Sequence, residues 1–468
     1  MSHLHPDDGT AGILARDEGA GLARPRSASH RPQIDADEDG AGVADRTTQI
    51  QASEVGDRVT RRCRGKRLRP QTHASEEGDG TSSEPPASPL EDGDLLREIL
   101  LRLPLDLHSL SRASAVCKPW RGIVVDHKFV HRFYTRHRKP PLLGFFQHGG
   151  DHEEIRFTPV LPPAPDLIPP GSFSLGQRSS NSEVCEVLDS RHGRVLLTSW
   201  AIVDGWVREE VVVCEPITSK QQHRVSVPLE LMSIGDLDNG AVFCAHDHVH
   251  GSCHSCPFKV VLLSYGNYKN PYACVYSSQT DTWGDIISTE APHDTPFGVC
   301  PSTLIGNALY WPAKHKGDSI LQFELGTQNL AVIKGPPGMN VNDFDNFHII
   351  QAEDGAVGLA ALSHLELQMW ERKVDCQGVA IWLLQKTVSL RKLLKVPPRT
   401  EESYESLKVV GYDEDNNVIL LARQDGVYMV QPKSMQARKL NGTGSTHYCY
   451  TFTSFYPLGD CSSLVFIS

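Results

Sequence analysis

Similar segments with strand–turn–strand character recur along the second half of the chain. Each joins an apolar strand, a polar turn that often holds Ser, Thr or Gly, and a second strand. The segments start at Val211, Ala273, Ile320, Gly378 and Gly426. Intervals of roughly fifty residues are typical of kelch-type propeller blades, whose small sheets bury their faces against neighbouring blades around an axis.

The strand-rich part of the chain begins at Leu142. From there, short runs rich in Val, Ile, Leu, Tyr and Phe alternate with Gly, Asp, Asn and Pro, as expected for strands and turns. At the repeat interval this stretch has room for about six blades. We therefore predict an all-β, kelch-like β-propeller over residues 142–468. One large β-sandwich or two smaller all-β domains are the competing architectures.

A helical period precedes these strands. The residues Leu95, Leu96, Ile99, Leu100 and Leu103 form one broad apolar stripe. Asp92 and Asp94 can cap the start of this helix, and Pro104 ends it. A second helix is predicted over 107–118, and a shorter third one over 119–137, with Pro119 in its first turn.

The helical stretch is too small to use all of its leucines internally. Domains near forty residues usually need a metal, disulfides or a partner to stay folded, and this stretch offers no metal-ligand set or disulfide pair. We expect one side of the first helix to pack on the other helices and the opposite side to bind a partner protein. Alternatively, all of these leucines pack against the β domain as an N-terminal appendage.

The stretch from Pro89 to Phe133 resembles an F-box. The resemblance rests on Pro89-Leu90, the leucine-rich helix, Arg102–Pro104, the Ser111–Lys118 run and Trp120-Arg121. It implies a three-helix domain that binds the Skp-type linker of a cullin–RING ubiquitin ligase. By resemblance, the residues facing the linker would be Pro89, Leu90, Leu95, Leu96, Ile99, Leu100, Leu103 and Pro104. The F-box core would comprise Leu110, Val116, Cys117 and Trp120. Pro119 departs from the family pattern.

The resemblance extends over most of residues 88–460. Several strand segments are similar to those of grass-type F-box proteins with β-propeller-like C-terminal halves. This implies a non-catalytic substrate adaptor that recruits an unknown protein target for ubiquitination, with no cofactor. The predicted fold class is α+β multidomain, with a disordered tail over 1–87, the helical F-box over 88–136 and the propeller after it.

Composition limits the location and the partners. Residues 1–87 are rich in charged and small residues and poor in apolar runs, which predicts disorder. The net charge of -11 argues against nucleic acid as a partner, and no secretory signal or bilayer-length apolar run is present. We expect a protein of the cytoplasm and/or nucleus without a membrane partner. The basic tract 61–69 is a nuclear import signal or part of a charged tail.

One sequence cluster has metal-ligating chemistry. His246, His248, His250, Cys253, His254 and Cys256 fall within eleven residues. Thiolate and imidazole bind zinc, so Cys253, Cys256, His248 and His250 form a weak candidate site. A second half-site at a suitable distance is missing, which favours a metal-free polar loop, and we predict no metal.

Support for catalysis is weak. The sequence lacks a G-x-S-x-G elbow, a phosphate-binding G-x-x-x-x-G-K-[ST] loop and an H-E-x-x-H helix. We therefore predict no catalytic residue. The alternative is a β-propeller enzyme or glycan-binding protein with a helical appendage, which convergent polar side chains in a central pocket would favour.

Overall fold

The structure is a computed structural model of the chain. It describes residues 90, 92–105, 109–148, 155–160, 173, 175, 184–203, 206–217, 222–245, 256–266, 270–292, 297, 300–313, 318–337, 346–363, 365–395, 407–440 and 448–455. The predicted tail over 1–87 lies outside these ranges, as do Pro89 and three residues of the weak metal candidate, His248, His250 and Cys253.

Four helices come first. They are α1 (Gly93–Leu101), α2 (Ser109–Val116), α3 (Lys118–Val124) and α4 (His127–His137). As predicted, Asp92 caps α1, because its carboxylate accepts the N–H of Asp94 at 2.8 Å and that of Leu95 at 3.2 Å.

The prediction of a single third helix over 119–137 is wrong, because the structure has two helices there, α3 and α4. Asp126 interrupts it with an extended backbone, and its carboxylate accepts the N–H of Lys128 at 3.1 Å, which starts α4. An N-cap side chain competes with continuation of the preceding helix, so the segment divides into α3 and α4. Buried residues from all four helices form a shared core, which includes Leu96, Leu100, Leu110, Val124 and Phe133.

The strands form six small antiparallel sheets around an axis, so the prediction of about six blades is confirmed. Blade A has β1 (Leu142–His148), β2 (Ile155–Pro159) and the last strand of the chain, β24 (Tyr450–Thr453). Blade B has β3 (Val184–Arg191), β4 (Arg194–Val203), β5 (Trp206–Cys214) and β6 (Gln222–Ser226). Blade C has β7 (Leu237–Cys244), β8 (Phe258–Gly266), β9 (Asn270–Ser277), β10 (Thr282–Trp283) and β11 (Ile287–Ser288).

The other three blades have four strands each. Blade D has β12 (Thr303–Ile305), β13 (Ala308–Pro312), β14 (Ser319–Glu324) and β15 (Asn329–Lys334). Blade E has β16 (Phe347–Gln351), β17 (Val357–Ser363), β18 (Glu366–Val374) and β19 (Ala380–Ser389). Blade F has β20 (Lys408–Asp413), β21 (Val418–Arg423), β22 (Gly426–Gln431) and β23 (Gln436–Lys439). Short helices α5 (Leu229–Ile234) and α6 (Leu390–Leu393) follow the outer strands of blades B and E.

Four of the five sequence repeats are the two outer strands of a blade. The copies starting at Val211, Ala273, Ile320 and Gly426 begin in the third strands of blades B, C, D and F. The prediction that the copy at Gly378 is a strand–turn–strand unit is wrong, because this segment contains only β19 and then enters α6. Its apolar residues mimic the repeat, although they belong to one long outermost strand.

The C-terminal strand closes the ring. β24 pairs with β1, with Phe145 opposite Thr451 and Gly144 opposite Phe452, and β24 also packs beside β3 and β20. Gly144 is required here, because a Cβ atom would overlap the ring of Phe157 and the carbonyl oxygen of Thr158. Blade A is thus built from both ends of the β region, which explains why it shows no repeat in the sequence.

The helical domain joins one end of the ring, here called the helix end. The chain enters β1 and leaves β24 at that end, where the N–H of Ser454 donates to the carbonyl oxygen of Pro141 at 3.4 Å. The turns between the first and second strands of blades B, D, E and F lie at the same end, because these blades share one strand direction. The outermost strands of blades B, D, E and F end at the opposite end of the ring, here called the far end.

Candidate functional site

The first helix presents an apolar surface to solvent. Leu95 is 50% exposed, Ile99 is 39% exposed, and Leu90 just before the helix is 49% exposed. Leu95 and Ile99 are four residues apart, so they lie on the same side of α1. Pro104 is also exposed, and Leu103 is half-buried against the helical core. Predicted linker-facing residues therefore do lie at the surface of this helix.

Two residues that were predicted to face the partner are buried inside the helical domain. Leu96 is 2% exposed and Leu100 is fully buried. Both belong to the core shared by the helices, so this part of the prediction is wrong. The apolar stripe is wide enough to cover two sides of α1, and spacing alone does not show which side the other helices occupy.

Some of the residues predicted for the F-box core are buried among the helices and others are exposed. Leu110 is buried, and Trp120 is half-buried against the helical core. Val116 is 60% exposed and Cys117 is exposed, so their assignment to the core is wrong. Val116 ends α2 and Cys117 is the extended residue before α3, so both lie at a helix junction rather than on an inward-facing stripe.

Exposed ion pairs lie beside the apolar surface of α1. Arg97 contacts Asp94 at 3.0 Å, and Glu98 lies 3.2 Å from Arg132 and 3.6 Å from Arg102. Such exposed pairs contribute little stability. They place polar groups along one edge of the apolar surface, and protein-binding surfaces commonly have an apolar centre bordered by polar residues.

Phe455 connects the propeller to the helices. It is 2% exposed, lies two residues beyond β24 and stacks on Tyr134 of α4 with ring centroids 4.2 Å apart. Burial raises the pKa of Tyr134 far above its ordinary value. Sequence reasoning missed this contact, because nothing in the pattern near the C-terminus indicates packing against a helix.

A buried cluster of charged side chains lies at the axis of the ring. Arg191 in blade B donates from Nη1 to Asp189 Oδ2 at 2.6 Å and from Nε to Glu414 Oε1 of blade F at 2.5 Å. Its Nη2 donates to the carbonyl oxygen of Ser302 at 3.1 Å, just before blade D. The N–H of Leu304 donates to Glu414 Oε2 at 2.6 Å. One guanidinium thus connects blades B, D and F across the axis.

Blades A and C join the same network. Asp189 Oδ2 accepts the N–H of Val242 in blade C at 2.8 Å. Thr453 of blade A donates to Asp415 Oδ2 at 2.6 Å, and Asn416 donates to the carbonyl oxygen of Pro140 at 3.3 Å. We call Asp189, Arg191, Asp413, Glu414 and Asp415 the axial cluster. Because its polar groups largely bind one another and the backbone, the cluster holds the blades together at the helix end.

Two carboxyl groups of the axial cluster hold their protons more tightly than an ordinary aspartate. Burial raises the pKa of Asp189 to about 6, although Arg191 opposes the rise. Burial, with a further contribution from Asp415 and Glu414, raises the pKa of Asp413 to about 7, while hydrogen bonds from Asn416 oppose it. Over the pH range between the ordinary and the raised pKa, these two groups are therefore protonated in the folded protein and ionised in the unfolded chain.

The sign of the resulting pH dependence follows from linkage. A carboxyl whose pKa is raised by folding contributes stability that is fully present in acid and is lost as pH rises through the folded pKa. We predict that the wild type loses stability relative to Asp413→Asn between pH 5 and pH 8, by at most about 1.4 kcal/mol per pH unit. Urea unfolding at several pH values measures this difference. A flat difference would contradict the prediction.

Asp425→Asn is the matched control for that series. Partial burial tends to raise the pKa of Asp425, but hydrogen bonds from Lys439 and Tyr428 bring it below its usual value. The group is therefore ionised throughout the range from pH 5 to pH 8. The difference between wild type and this variant should stay constant over the same range.

Of the weak metal candidate, Cys256 alone lies in the described part of the chain. Its carbonyl oxygen accepts from Arg194 Nη2 at 2.8 Å, and burial raises the pKa of its thiol. Within the described ranges, no group of three or more His, Cys, Asp or Glu side chains is arranged to hold a metal ion. Among the same residues, no helix has the length and apolar composition needed to cross a membrane.

Six blades closed by a C-terminal strand define this chain as a β-propeller protein. A family model described as "F-box protein AT5G49610-like, beta-propeller" matches residues 186–458. The chain belongs to this family, which confirms the resemblance to F-box proteins with a β-propeller C-terminal half. No curated protein matches the chain.

Several solved structures are similar to the chain at low identity. Periplasmic gluconolactonase PpgL of Pseudomonas aeruginosa is 15% identical, with 64% of this chain and 83% of that chain covered and a TM-score of 0.35. The Aleuria aurantia lectin AAL is 13% identical, with 64% and 92% covered and a TM-score of 0.34. The β-propeller domain of the trilobed protease from Pyrococcus furiosus is 10% identical, with 56% and 72% covered and a TM-score of 0.31.

Proposed function

We propose that this protein is a non-catalytic substrate adaptor of a Skp–cullin–F-box type ubiquitin ligase. In this proposal, α1 binds the Skp-type linker, and the propeller binds a protein target. The exposed pair Leu95 and Ile99 is the observation that supports it, because these side chains remain at the surface although the helices have a core of their own. Membership of an F-box propeller family agrees with this role.

The join between the helices and the ring fits an adaptor. Phe455 lies in the helical core, and Ser454 and Asn416 bind the backbone just before β1. A buried aromatic contact, one backbone hydrogen bond and one hydrogen bond from the Asn416 side chain limit movement between the parts. A target on the ring would therefore be held at a fixed position relative to the linker, and ubiquitin transfer would be promoted by proximity without a catalytic group from this chain.

The proposal is tested by capture of purified Skp-type linker protein. We predict that Leu95→Asp/Ile99→Asp reduces capture at least about a hundredfold, because two carboxylates would be desolvated at the centre of the contact. The wild-type fold should persist, since both positions are exposed. Leu96→Asp does not serve this purpose, because it places a charge in the helical core.

A matched control lies on the outermost strand of blade E. Ile381 and Leu383 are 42% and 39% exposed, nearly as much as the pair on α1. Ile381→Asp/Leu383→Asp makes the same chemical change on the ring and should leave capture of the linker unchanged. Full capture by the α1 variant, or equal loss in both double variants, would refute the proposed docking surface.

The alternative function as an enzyme or glycan-binding protein would use the polar cavity at the axis. The cavity is lined by Asp189, Arg191, Glu414 and neighbouring residues. The hydrogen bonds of Arg191 go to the carboxylates and backbone of the ring itself, and its side chain is 4% exposed. These contacts support a structural role for the cluster, so we retain the adaptor as the proposed function.

A further inference from the structure

Apolar side chains are exposed at the far end of blade B. Trp200 is 38% exposed, Ile202 is 53% exposed and Leu229, the first residue of α5, is 78% exposed. Trp200 and Ile202 lie on the same face of β4 as the buried Leu196, which packs in the cluster between blades B and C. These side chains therefore continue the interface between blades B and C beyond its buried part.

Carboxylates occupy the same side of the sheet. Glu209 lies directly opposite Trp200 in the pairing of β4 with β5, and Thr198 donates to Glu209 Oε1 at 3.2 Å. Glu186 is opposite Thr198 in the pairing of β3 with β4, and Asp236 precedes the first strand of blade C. Burial raises the pKa of Glu209, and the charges of Asp236 and Glu186 raise it further.

The nearby cations lie on the other side of the sheet. Arg208 pairs with Ala201 and precedes Glu209 in β5, so the two side chains lie on opposite faces of the sheet. Arg224 lies 3.7 Å from Glu210, which is also on that opposite side. Within the described part of the chain, Glu186, Glu209 and Asp236 form no ion pair. Among the described residues, this patch therefore combines exposed apolar area with negative charge that no ion pair neutralises.

We infer that this far-end patch binds an extended segment of the target protein that places a lysine or arginine next to an apolar side chain. The inference rests on the proposed adaptor function and names the chemistry of its target. The cation would meet Glu209 and the indole face of Trp200, which lie side by side on adjacent strands. The apolar neighbour would cover Ile202 and Leu229. The helical domain joins the opposite end, so the patch stays accessible when the linker is bound.

The probe is a displayed library of short random peptides, selected on the immobilised full chain. Enriched peptides should carry Lys or Arg beside an apolar residue, and their binding should weaken as salt increases. Glu209→Gln should lower the affinity of enriched peptides at least about tenfold, because it removes a charge and keeps the shape of the side chain. Fluorescence anisotropy measures the affinity.

Glu210→Gln is the control, because it makes the same change one residue away on the opposite side of β5. It should bind the enriched peptides as the wild type does. The inference fails if no peptides are enriched, if those enriched lack the basic–apolar pattern, or if the two variants behave alike. Linker capture by Glu209→Gln, measured in parallel, should be normal, so failure here is distinguishable from failure of the adaptor function.

Discussion

Replacing Arg191 by methionine will lower the free energy of unfolding by about 3–5 kcal/mol. The guanidinium is almost completely buried and neutralises Asp189 and Glu414, which come from different blades. Methionine fills a similar volume but leaves both carboxylates without their cation in a site of low polarity. Breaking a buried ion pair from one side is costly because the remaining charge is neither paired nor solvated. Equilibrium denaturation in urea measures the loss.

The control for this prediction is Arg224→Met. Arg224 contacts Glu210 at 3.7 Å, and both side chains are more than a quarter exposed. Water screens such a pair, so its removal should cost less than about 1 kcal/mol. If both arginine variants lose the same stability, the axial cluster does not hold the blades together as described.

Phe455→Ala should destabilise the helical domain by about 3–5 kcal/mol, because it removes a buried ring and leaves a cavity against Tyr134. The effect should be strongest at the join, so backbone amides of α4 should exchange hydrogen faster than in the wild type. Peptide-resolved hydrogen exchange measures this. Val116→Ala, on an exposed side chain of the same domain, should change stability by no more than about 0.5 kcal/mol. Unchanged exchange in α4 would show that Phe455 does not support the helices.

The repeat pattern was sufficient to predict the propeller. Outer strands pair locally through short turns, and their alternating apolar residues recur at Val211, Ala273, Ile320 and Gly426. Local periodicity of this kind is visible along a sequence. The contents of blade A were not predictable, because β24 joins β1 across almost the whole β region.

The side of α1 that remains exposed could be predicted only in part. Its leucines span two sides of the helix, and burial of Leu96 and Leu100 depends on where α3 and α4 pack. The axial cluster could not be predicted from the sequence, because Arg191 and Glu414 are separated by 223 residues. Charged residues in turns usually indicate solvent exposure, and their convergence at the axis follows from ring closure.

The central claim is that the exposed side of α1 contacts the Skp-type linker. Photocrosslinking tests it most directly, with p-benzoylphenylalanine in place of Ile99 in one protein and in place of Leu383 in another. Both positions are 39% exposed, so they offer the probe equal access to solvent. We expect a crosslink to purified linker protein from the position on α1 and none from the position on blade E. No crosslink from position 99, or equal crosslinks from both positions, would contradict the account.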